Sequence, residues 1–171
     1  MRYLFFLSLL YSLSFASFEN IDTFEADFNQ SVTDEKGKTI NYSGHVIASK
    51  PQNAKWSYKK PILKDIYVTS YQITIVEPEL EQAIKKRINS NFNLFNLLKN
   101  AKKIADNRYE TYFKNAKFQI TLKKGVINSI SYIDEFDNSV KVVFSNQEIN
   151  KKLSLKIFSP KIPIEYDVIT N

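Results

Sequence analysis

The amino-acid sequence predicts a mainly β protein with a few helices, in which one antiparallel sheet of about ten strands curls into an unclosed barrel under a short helical lid. Runs of alternating apolar and polar residues occupy most of the chain, and this period of two is typical of strands with one buried face. One apolar segment near the middle has helical spacing instead. A sheet with this many strands tends to curl, and it does so around its apolar face.

Composition excludes several classes of function. The 171 residues suggest one domain, and 43% hydrophobic residues are enough for a real core. The absence of cysteine excludes disulfides, thiol catalysis and cysteine-based zinc sites. The net charge is +6, but the lysines lie mostly on the polar phase of strands, so we interpret them as a solvated face and expect no nucleic-acid partner. We expect no cofactor and no metal.

The first sixteen residues have the features of a secretory signal peptide. A positive start at Arg2 precedes an apolar run that is too short to span a bilayer as an ordinary transmembrane helix. Ser14 and Ala16 then supply the small residues of a cleavage site. We therefore predict cleavage after Ala16, a single mature domain over residues 17–171, and a periplasmic location.

The first two strands are predicted at residues 24–32 and 39–49. Phe24, Ala26 and Phe28 share one phase of the first, and a charged turn follows it. In the second strand, Gly44 indicates a bulge or a sharp bend. His45, the single histidine, falls in the polar phase, so no chemical role is assigned to it.

The third strand carries the single tryptophan between two prolines. Trp56 and Tyr58 share one phase, with lysines on the other. Pro51 and Pro61 must lie at the ends of this strand, because proline lacks the N–H that a ladder needs. Taken alone, Trp56 is either an ordinary core anchor or part of a ligand-binding surface.

Three more strands are predicted over residues 62–69, 71–76 and 80–84. A helical insertion follows at about 90–104, with Ser90 or Asn91 as its N-cap. Leu94, Leu97, Leu98 and Ala101 form an apolar stripe, which Phe92 and Phe95 widen. The helix either plugs one end of the sheet or forms a lid over an apolar cavity, and the pattern alone leaves both possibilities open.

The second half returns to alternating runs. Strands are predicted over residues 109–113, 117–123, 126–134, 139–145 and 152–158. The tail, residues 159–168, contains two prolines and is expected to be extended along an edge of the sheet.

An ordered set of residues resembles the LolA family of periplasmic lipoprotein carriers, over about residues 18–168. The matching features are Phe24-x-Ala26-x-Phe28-x-Gln30 with Val32-Thr33-Asp34, Gly44, Lys50-Pro51 before Trp56, Pro61, Pro78 before Glu81-Gln82, and Phe158-x-Pro160. The resemblance implies an unclosed barrel of eleven strands whose helical lid covers a hydrophobic cavity. It also implies a non-enzymatic chaperone, expected here as a monomer.

The resemblance further implies the cargo and the partners. The cavity would bind the acyl chains of lipoproteins, taken from a lipoprotein-releasing ABC transporter complex in the inner membrane and passed to an outer-membrane acceptor if one is present. The residues expected to line or close the cavity are Phe28, Trp56, Tyr58, Phe92, Phe95 and Leu98. The family commonly has arginine where this chain has Lys50, and that arginine is thought to hold the lid shut, so Lys50 is the expected latch.

Three alternatives remain from the sequence. A carrier of another lipid or a glycolipid would need the same cavity. A protein-binding periplasmic domain usually comes with a second domain, for which this chain has no room. An enzyme is disfavoured, because acidic groups such as Asp34/Glu35 and Glu77/Glu79 fall at predicted turns and strand ends, where charges are normally solvated.

Overall fold

The computed structural model describes residues 18–88 and 93–170, without the side chain of Glu19. The predicted signal peptide and Ser90, Asn91 and Phe92 lie outside the described residues. One α-helix, α1, spans Leu94–Lys99, and short 3₁₀ turns lie at Phe18–Asn20, Pro78–Leu80 and Leu155–Phe158. The strands are β1 Thr23–Thr33, β2 Thr39–Ser49, β3 Asn53–Lys60, β4 Lys64–Val68, β5 Gln72–Glu77, β6 Gln82–Arg87, β7 Lys102–Ala105, β8 Arg108–Phe113, β9 Ala116–Lys123, β10 Val126–Ile133, β11 Ser139–Ile149 and β12 Asp167–Thr170.

All twelve strands form one open sheet in the order β12-β6-β5-β4-β3-β2-β1-β11-β10-β9-β8-β7. Two consecutive meanders, β1–β6 and β7–β11, meet where β1 pairs with β11. The sheet does not close, which confirms the predicted unclosed architecture. It is mixed rather than purely antiparallel, because β12 runs parallel to β6.

Most strand predictions are confirmed, with two differences. Residues 102–105, at the end of the predicted lid segment, form β7 at one edge of the sheet. The predicted strand over residues 152–158 is wrong. β11 already has β1 on one side and β10 on the other, so the chain leaves the sheet at Asn150, and residues 155–158 form a 3₁₀ turn. The tail reaches the sheet edge as β12, so the predicted edge position is confirmed only for residues 167 and 168 of the segment 159–168.

The two faces of the sheet have different coverings. We call the face that carries Phe24, Ala26 and Phe28 the inner face; it holds the main hydrophobic cluster, to which α1 contributes. On the opposite, outer face, a smaller cluster forms around Tyr67 and is covered by Ile162 and Tyr166 of the tail. Within the described part of the chain, no helix has the length and apolar character needed to cross a bilayer.

Candidate functional site

At the centre of the inner face, a row of aromatic side chains packs around Gly44, which has no side chain of its own. Phe28 pairs across the strands with Phe144 on one side and Gly44 on the other. A Cβ on Gly44 would lie 2.8 Å from Cζ of Phe28 and would overlap the carbonyl oxygen of Ser57. The ring of Phe28 therefore lies over the glycine. The bulge predicted at Gly44 is confirmed by a register shift between Ser43 and Gly44.

Two aromatic residues of β3 complete this cluster. The ring of Phe28 makes edge-to-face contacts with Trp56 and with Tyr58, both at 5.1 Å between centroids. Phe28 is only 1% exposed, whereas Trp56 and Tyr58 are partly buried. The phase of β3 correctly placed Trp56 and Tyr58 on one face, and the structure adds that Phe28 of β1 lies on the same face and touches both. The ring centroids of Trp56 and Phe144 lie 6.5 Å apart.

At the end of this cluster the environment becomes polar. The hydroxyl of Tyr58 donates a hydrogen bond to Oε1 of Gln30 at 2.8 Å. Burial of the Tyr58 phenol raises its pKa to about 12, with the nearby phenols of Tyr132 and Tyr42 acting in the same direction. Tyr58 is therefore neutral at any physiological pH and keeps its proton for Gln30. The ammonium of Lys64 lies 4.8 Å from the centroid of the same ring.

Helix α1 is held on the inner face by its apolar side chains. Phe95, Leu97 and Leu98 are all buried in the main cluster, which also contains Phe28. The N-cap is Asn93, whose side chain accepts a hydrogen bond from the backbone N–H of Asn96 at 2.9 Å. The N-cap predicted at Ser90 or Asn91 is therefore wrong for this helix. Phe92, the remaining residue of the predicted lid, lies outside the described residues.

A second part of the inner face is less completely covered. From Trp56 the register continues to Ile66, then Ile75, then Ile84, across β3 to β6. These side chains are partly exposed, unlike the buried residues on the inner face of β1, β10 and β11. We define this surface as the inner strip; its members are Ala54, Trp56, Ile66, Val68, Ile73, Ile75 and Ile84.

Sequence analysis named only Trp56 of the inner strip as a site residue. The alternation in β4 and β5 contains the signal for Ile66 and Ile75, but it does not tell which face of a strand pairs with which face of its neighbour. The structural register supplies that information. The strip is a row of branched apolar side chains beside the buried aromatic cluster, and it could accept a flexible hydrocarbon chain.

The expected latch, Lys50, is an exposed residue in the turn between β2 and β3. Its ammonium pairs with Oδ1 of Asp22 at 2.9 Å, and its backbone N–H donates to the carbonyl oxygen of the same residue. Asp22 immediately precedes β1 and follows Ile21, a buried residue of the main cluster. Lys50 thus ties the β2–β3 connection to the segment between the N-terminal 3₁₀ turn and β1.

The N-terminal turn also borders a small pocket of about 240 Å³. The pocket is lined by Phe18, Asn20, Ile21, Gly125, Val126, Ile127 and Ile149. It lies away from Phe28 and Trp56, at the turn between β9 and β10. Beneath α1, the side chains of the main cluster occupy the inner face, so the helix covers packed residues in this state.

His45 belongs to a charged cluster on the outer face. Its Nδ1 lies 2.8 Å from Asp27 Oδ1, and its Nε2 lies 3.1 Å from Glu25 Oε1. Lys151 approaches Glu25 at 3.1 Å. Burial raises the pKa of Glu25, but hydrogen bonds from Lys151 and His45 outweigh burial and the net pKa is lowered. The polar phase predicted for His45 is confirmed, and its ring supports the β1–β2 pairing.

A family profile and individual protein sequences that match this chain are both described as outer-membrane lipoprotein carriers. A sequence profile described as outer membrane lipoprotein carrier protein LolA matches residues 19–116. The outer-membrane lipoprotein carrier protein of Campylobacter jejuni is 40% identical over 150 residues, covering 88% of each chain. The protein of the same name from Wolinella succinogenes is 36% identical over 148 residues, covering 86% of each chain.

Solved structures agree on the fold. An uncharacterized conserved protein from Thermus thermophilus superposes with a TM-score of 0.56 over 90% of this chain and 93% of its own. Its sequence identity is 10%, so this likeness shows a shared architecture and nothing about the ligand.

Proposed function

Because the chain belongs to the LolA family of outer-membrane lipoprotein carriers, we propose that it is a non-catalytic periplasmic carrier that holds the acyl chains of lipoproteins on the inner face of its sheet. The observation that carries this proposal is the position of the inner strip. A partly exposed apolar surface lies directly beside a buried aromatic cluster, and both lie on the inner face whose main hydrophobic cluster includes the side chains of helix α1.

Helix α1 is well suited to act as a lid. It has six residues, and helices this short are not stable by themselves in water, so packing holds it in place. Phe95, Leu97 and Leu98 supply that packing. At about 1.5–3 kcal/mol for each buried side chain, lifting the helix costs roughly 5–9 kcal/mol.

An acyl chain can offset this cost. Each buried CH₂ group contributes about 0.8 kcal/mol, so ten methylenes contribute roughly 8 kcal/mol. The two quantities are similar in size, and opening therefore becomes favourable only when a chain replaces the helix. This near balance suits a carrier that must also release its cargo, because an acceptor with a modestly higher affinity sets the direction of transfer.

The proposed site residues fall into three groups. Phe28 and Tyr58, together with the inner strip that contains Trp56, would contact the acyl chains. Phe92, Phe95 and Leu98 would close the site, and Lys50 would stabilise the closed state through Asp22. An inner-membrane ABC transporter complex as donor, and an outer-membrane acceptor where present, complete the proposed route.

Lipoprotein release from spheroplasts tests the proposal. Purified residues 17–171 are incubated with spheroplasts, and the soluble fraction is examined for lipoproteins bound to the protein. We expect a stoichiometric complex, and we expect Phe95→Glu, which places a charge among the lid contacts, to reduce it. Lys99→Glu changes an exposed residue of the same helix and serves as the matched control. The proposal fails if wild type releases nothing while the protein from Campylobacter jejuni does.

A further inference from the structure

One row of inner-face residues changes from apolar to cationic along its length. Direct cross-strand pairs join Phe144 to Phe28, Phe28 to Gly44, Gly44 to Tyr58, and Tyr58 to Lys64. The row crosses five strands, and its four steps of about 4.8 Å span about 19 Å. A buried aromatic ring lies at one end, and an ammonium group lies at the other.

Two tyrosine rings hold this ammonium. Nζ of Lys64 lies 4.8 Å from the ring centroid of Tyr58 and 5.9 Å from that of Tyr42. Both distances are within the range of a cation–π contact. Lys64 is partly buried rather than fully exposed.

The neighbouring acidic side chains, Asp65 and Glu77, have other hydrogen-bond or ion-pair partners and form no ion pair with Lys64. In residues 18–88 and 93–170, Lys64 takes part in none of the ion pairs. Asp65, the next residue, pairs on the outer face with Lys55 at 3.1 Å. Glu77, at the end of the neighbouring strand β5, accepts a hydrogen bond from the side-chain amide of Gln82 at 2.6 Å. Lys64 is thus a cation on the inner face whose charge no ion pair neutralises.

Tyr58 does not compensate the charge either. Its phenol is neutral, and its proton is donated to Gln30. Its oxygen atom keeps lone pairs, and its ring presents only the weak negative potential of an aromatic face. An anionic group beside Lys64 would gain a charge-assisted hydrogen bond without displacing an existing salt bridge.

We propose that Lys64, with Tyr42 and Tyr58, binds the phosphate of an acylated lipid whose hydrocarbon chain lies along the inner strip. Lysine is a common phosphate ligand, and the strip begins next to it, at Trp56 and Ile66. Lys64 and Ile66 both point to the inner face of β4, two residues apart. This phospholipid site goes beyond lipoprotein cargo, and it requires only the strip and the cation.

The phosphate and the acyl chain would contribute separately to the binding free energy, so ligands that carry one or both of them can test the site. Trp56 is the single tryptophan of the chain and lies on β3, two residues from Tyr58. Its fluorescence can therefore report binding. The probes are palmitoyl lysophosphatidylglycerol, monopalmitoylglycerol and inorganic phosphate, the two lipids being used below their micelle-forming concentrations. The first carries chain and phosphate, the second carries the chain without phosphate, and the third carries phosphate without a chain.

We expect the wild-type protein to bind the lysophospholipid about 10–100-fold more tightly than the monoacylglycerol, which corresponds to a charged hydrogen bond of about 1.5–3 kcal/mol. Lys64→Met should abolish this preference while leaving affinity for the monoacylglycerol within about twofold. Lys64→Arg should retain part of the preference, because it keeps the charge. Lys59→Met, which removes an exposed cation from the outer phase of β3, should leave it intact.

Equal affinities of the wild type for both lipids would overturn the proposal, and so would an unchanged preference in Lys64→Met. Displacement of the lysophospholipid by low millimolar inorganic phosphate would show a site for free phosphate and would also overturn it. The circular dichroism spectrum and urea midpoint of each variant establish that it folds, and Lys64→Arg supplies the test if Lys64→Met does not. Lipoprotein release is measured separately, so a phospholipid-binding protein that releases no lipoprotein would refute the proposed function alone.

Discussion

Gly44 lies beneath the ring of Phe28, so close that the glycine has no room for a methyl group. The ring atoms Cζ and Cε1 of Phe28 would be 2.8 and 2.9 Å from such a methyl carbon. The carbonyl oxygen of Ser57, on the adjacent strand, would be closer still. The absence of a side chain at Gly44 therefore lets Phe28 reach across β2 to the aromatic residues of β3.

Gly44→Ala is expected to destabilise the fold by at least about 2 kcal/mol, because the overlap with a backbone atom forces β2 and β3 apart. Urea unfolding followed by Trp56 fluorescence measures the change. Gly37→Ala, at a turn with φ of 81° and no neighbour within 4 Å, is the control and should cost about 1 kcal/mol. Adding Phe28→Leu should not rescue Gly44→Ala; rescue would mean that the side-chain contact, and not the backbone contact, limits the space.

Phe95→Glu is expected to detach helix α1 while the sheet remains folded, because a carboxylate cannot stay among the apolar contacts of the main cluster. The exposed apolar surface should then increase the fluorescence of a hydrophobic dye several-fold, with the circular dichroism of the strands preserved. Lys99→Glu introduces the same group on the exposed side of the helix and should leave dye binding at the wild-type level. Equal dye binding by both variants would contradict a lid held by Phe95.

Lys50→Leu should change ligand binding more than stability. The ion pair with Asp22 is substantially exposed, and such pairs contribute about 0–1 kcal/mol. If the pair favours the closed state, its loss raises the fraction of open protein, and the apparent affinity for monopalmitoylglycerol should rise. Lys38→Leu, at the exposed β1–β2 turn, is the matched control. The latch hypothesis is rejected if the two variants bind the lipid equally well.

Acid should weaken the outer-face cluster. The folded-state pKa of Glu25 is below its usual value of 4.5, so the stability that Glu25 contributes is fully present above that value and is lost as pH falls through the folded pKa. Glu25→Gln should therefore reduce the free energy of unfolding at pH 6, by no more than about 1 kcal/mol, and the difference from wild type should shrink below pH of about 4. Glu79→Gln, at an exposed turn, should show no such trend. A difference that is constant with pH would contradict this ionic role.

Two truncations separate the roles of the tail. Deleting residues 167–171 removes β12 and frees the edge of β6, so self-association should increase. Deleting residues 161–171 also removes Ile162 and Tyr166 from the cluster around Tyr67 and should lower the free energy of unfolding by a further 2 kcal/mol or more. Analytical ultracentrifugation and urea unfolding measure the two effects. Equal stability of the two truncated proteins would show that Ile162 and Tyr166 do not stabilise the outer face.

The alternation of apolar and polar residues was sufficient to predict the long strands correctly. β1 and β2 each have eleven residues, and their phase groups Phe24 with Phe28 in β1 and Gly44 with Val46 in β2. β7 could not be predicted in this way, because its four residues, Lys-Lys-Ile-Ala, do not alternate. Residues 152–158 do alternate, but a strand also requires a free edge, and both sides of β11 are occupied.

For the candidate site too, the sequence predicted which residues of one strand share a face but not how neighbouring strands are aligned. The phase of β3 united Trp56 with Tyr58, but Lys64 enters the site only through its pairing with Tyr58 across the β3–β4 hairpin. Register between strands depends on turn geometry and on packing of the faces. The alternation within β4 gives no indication that its first residue lies over one ring of β3 and one ring of β2.

The meeting of β1 with β11 has a consequence for the order of folding. The backbone N–H of Asp22, just before β1, donates a hydrogen bond to the side-chain Oδ1 of Asn150, which follows β11 and lies 128 residues away in sequence. Contacts between residues so distant in sequence form slowly, because a long loop must close before they contribute. The β1–β6 meander needs only local hairpins, whereas the central pairing waits until nearly the whole chain is present. We therefore expect folding to proceed in two kinetic steps, the first meander preceding the joining of the two halves.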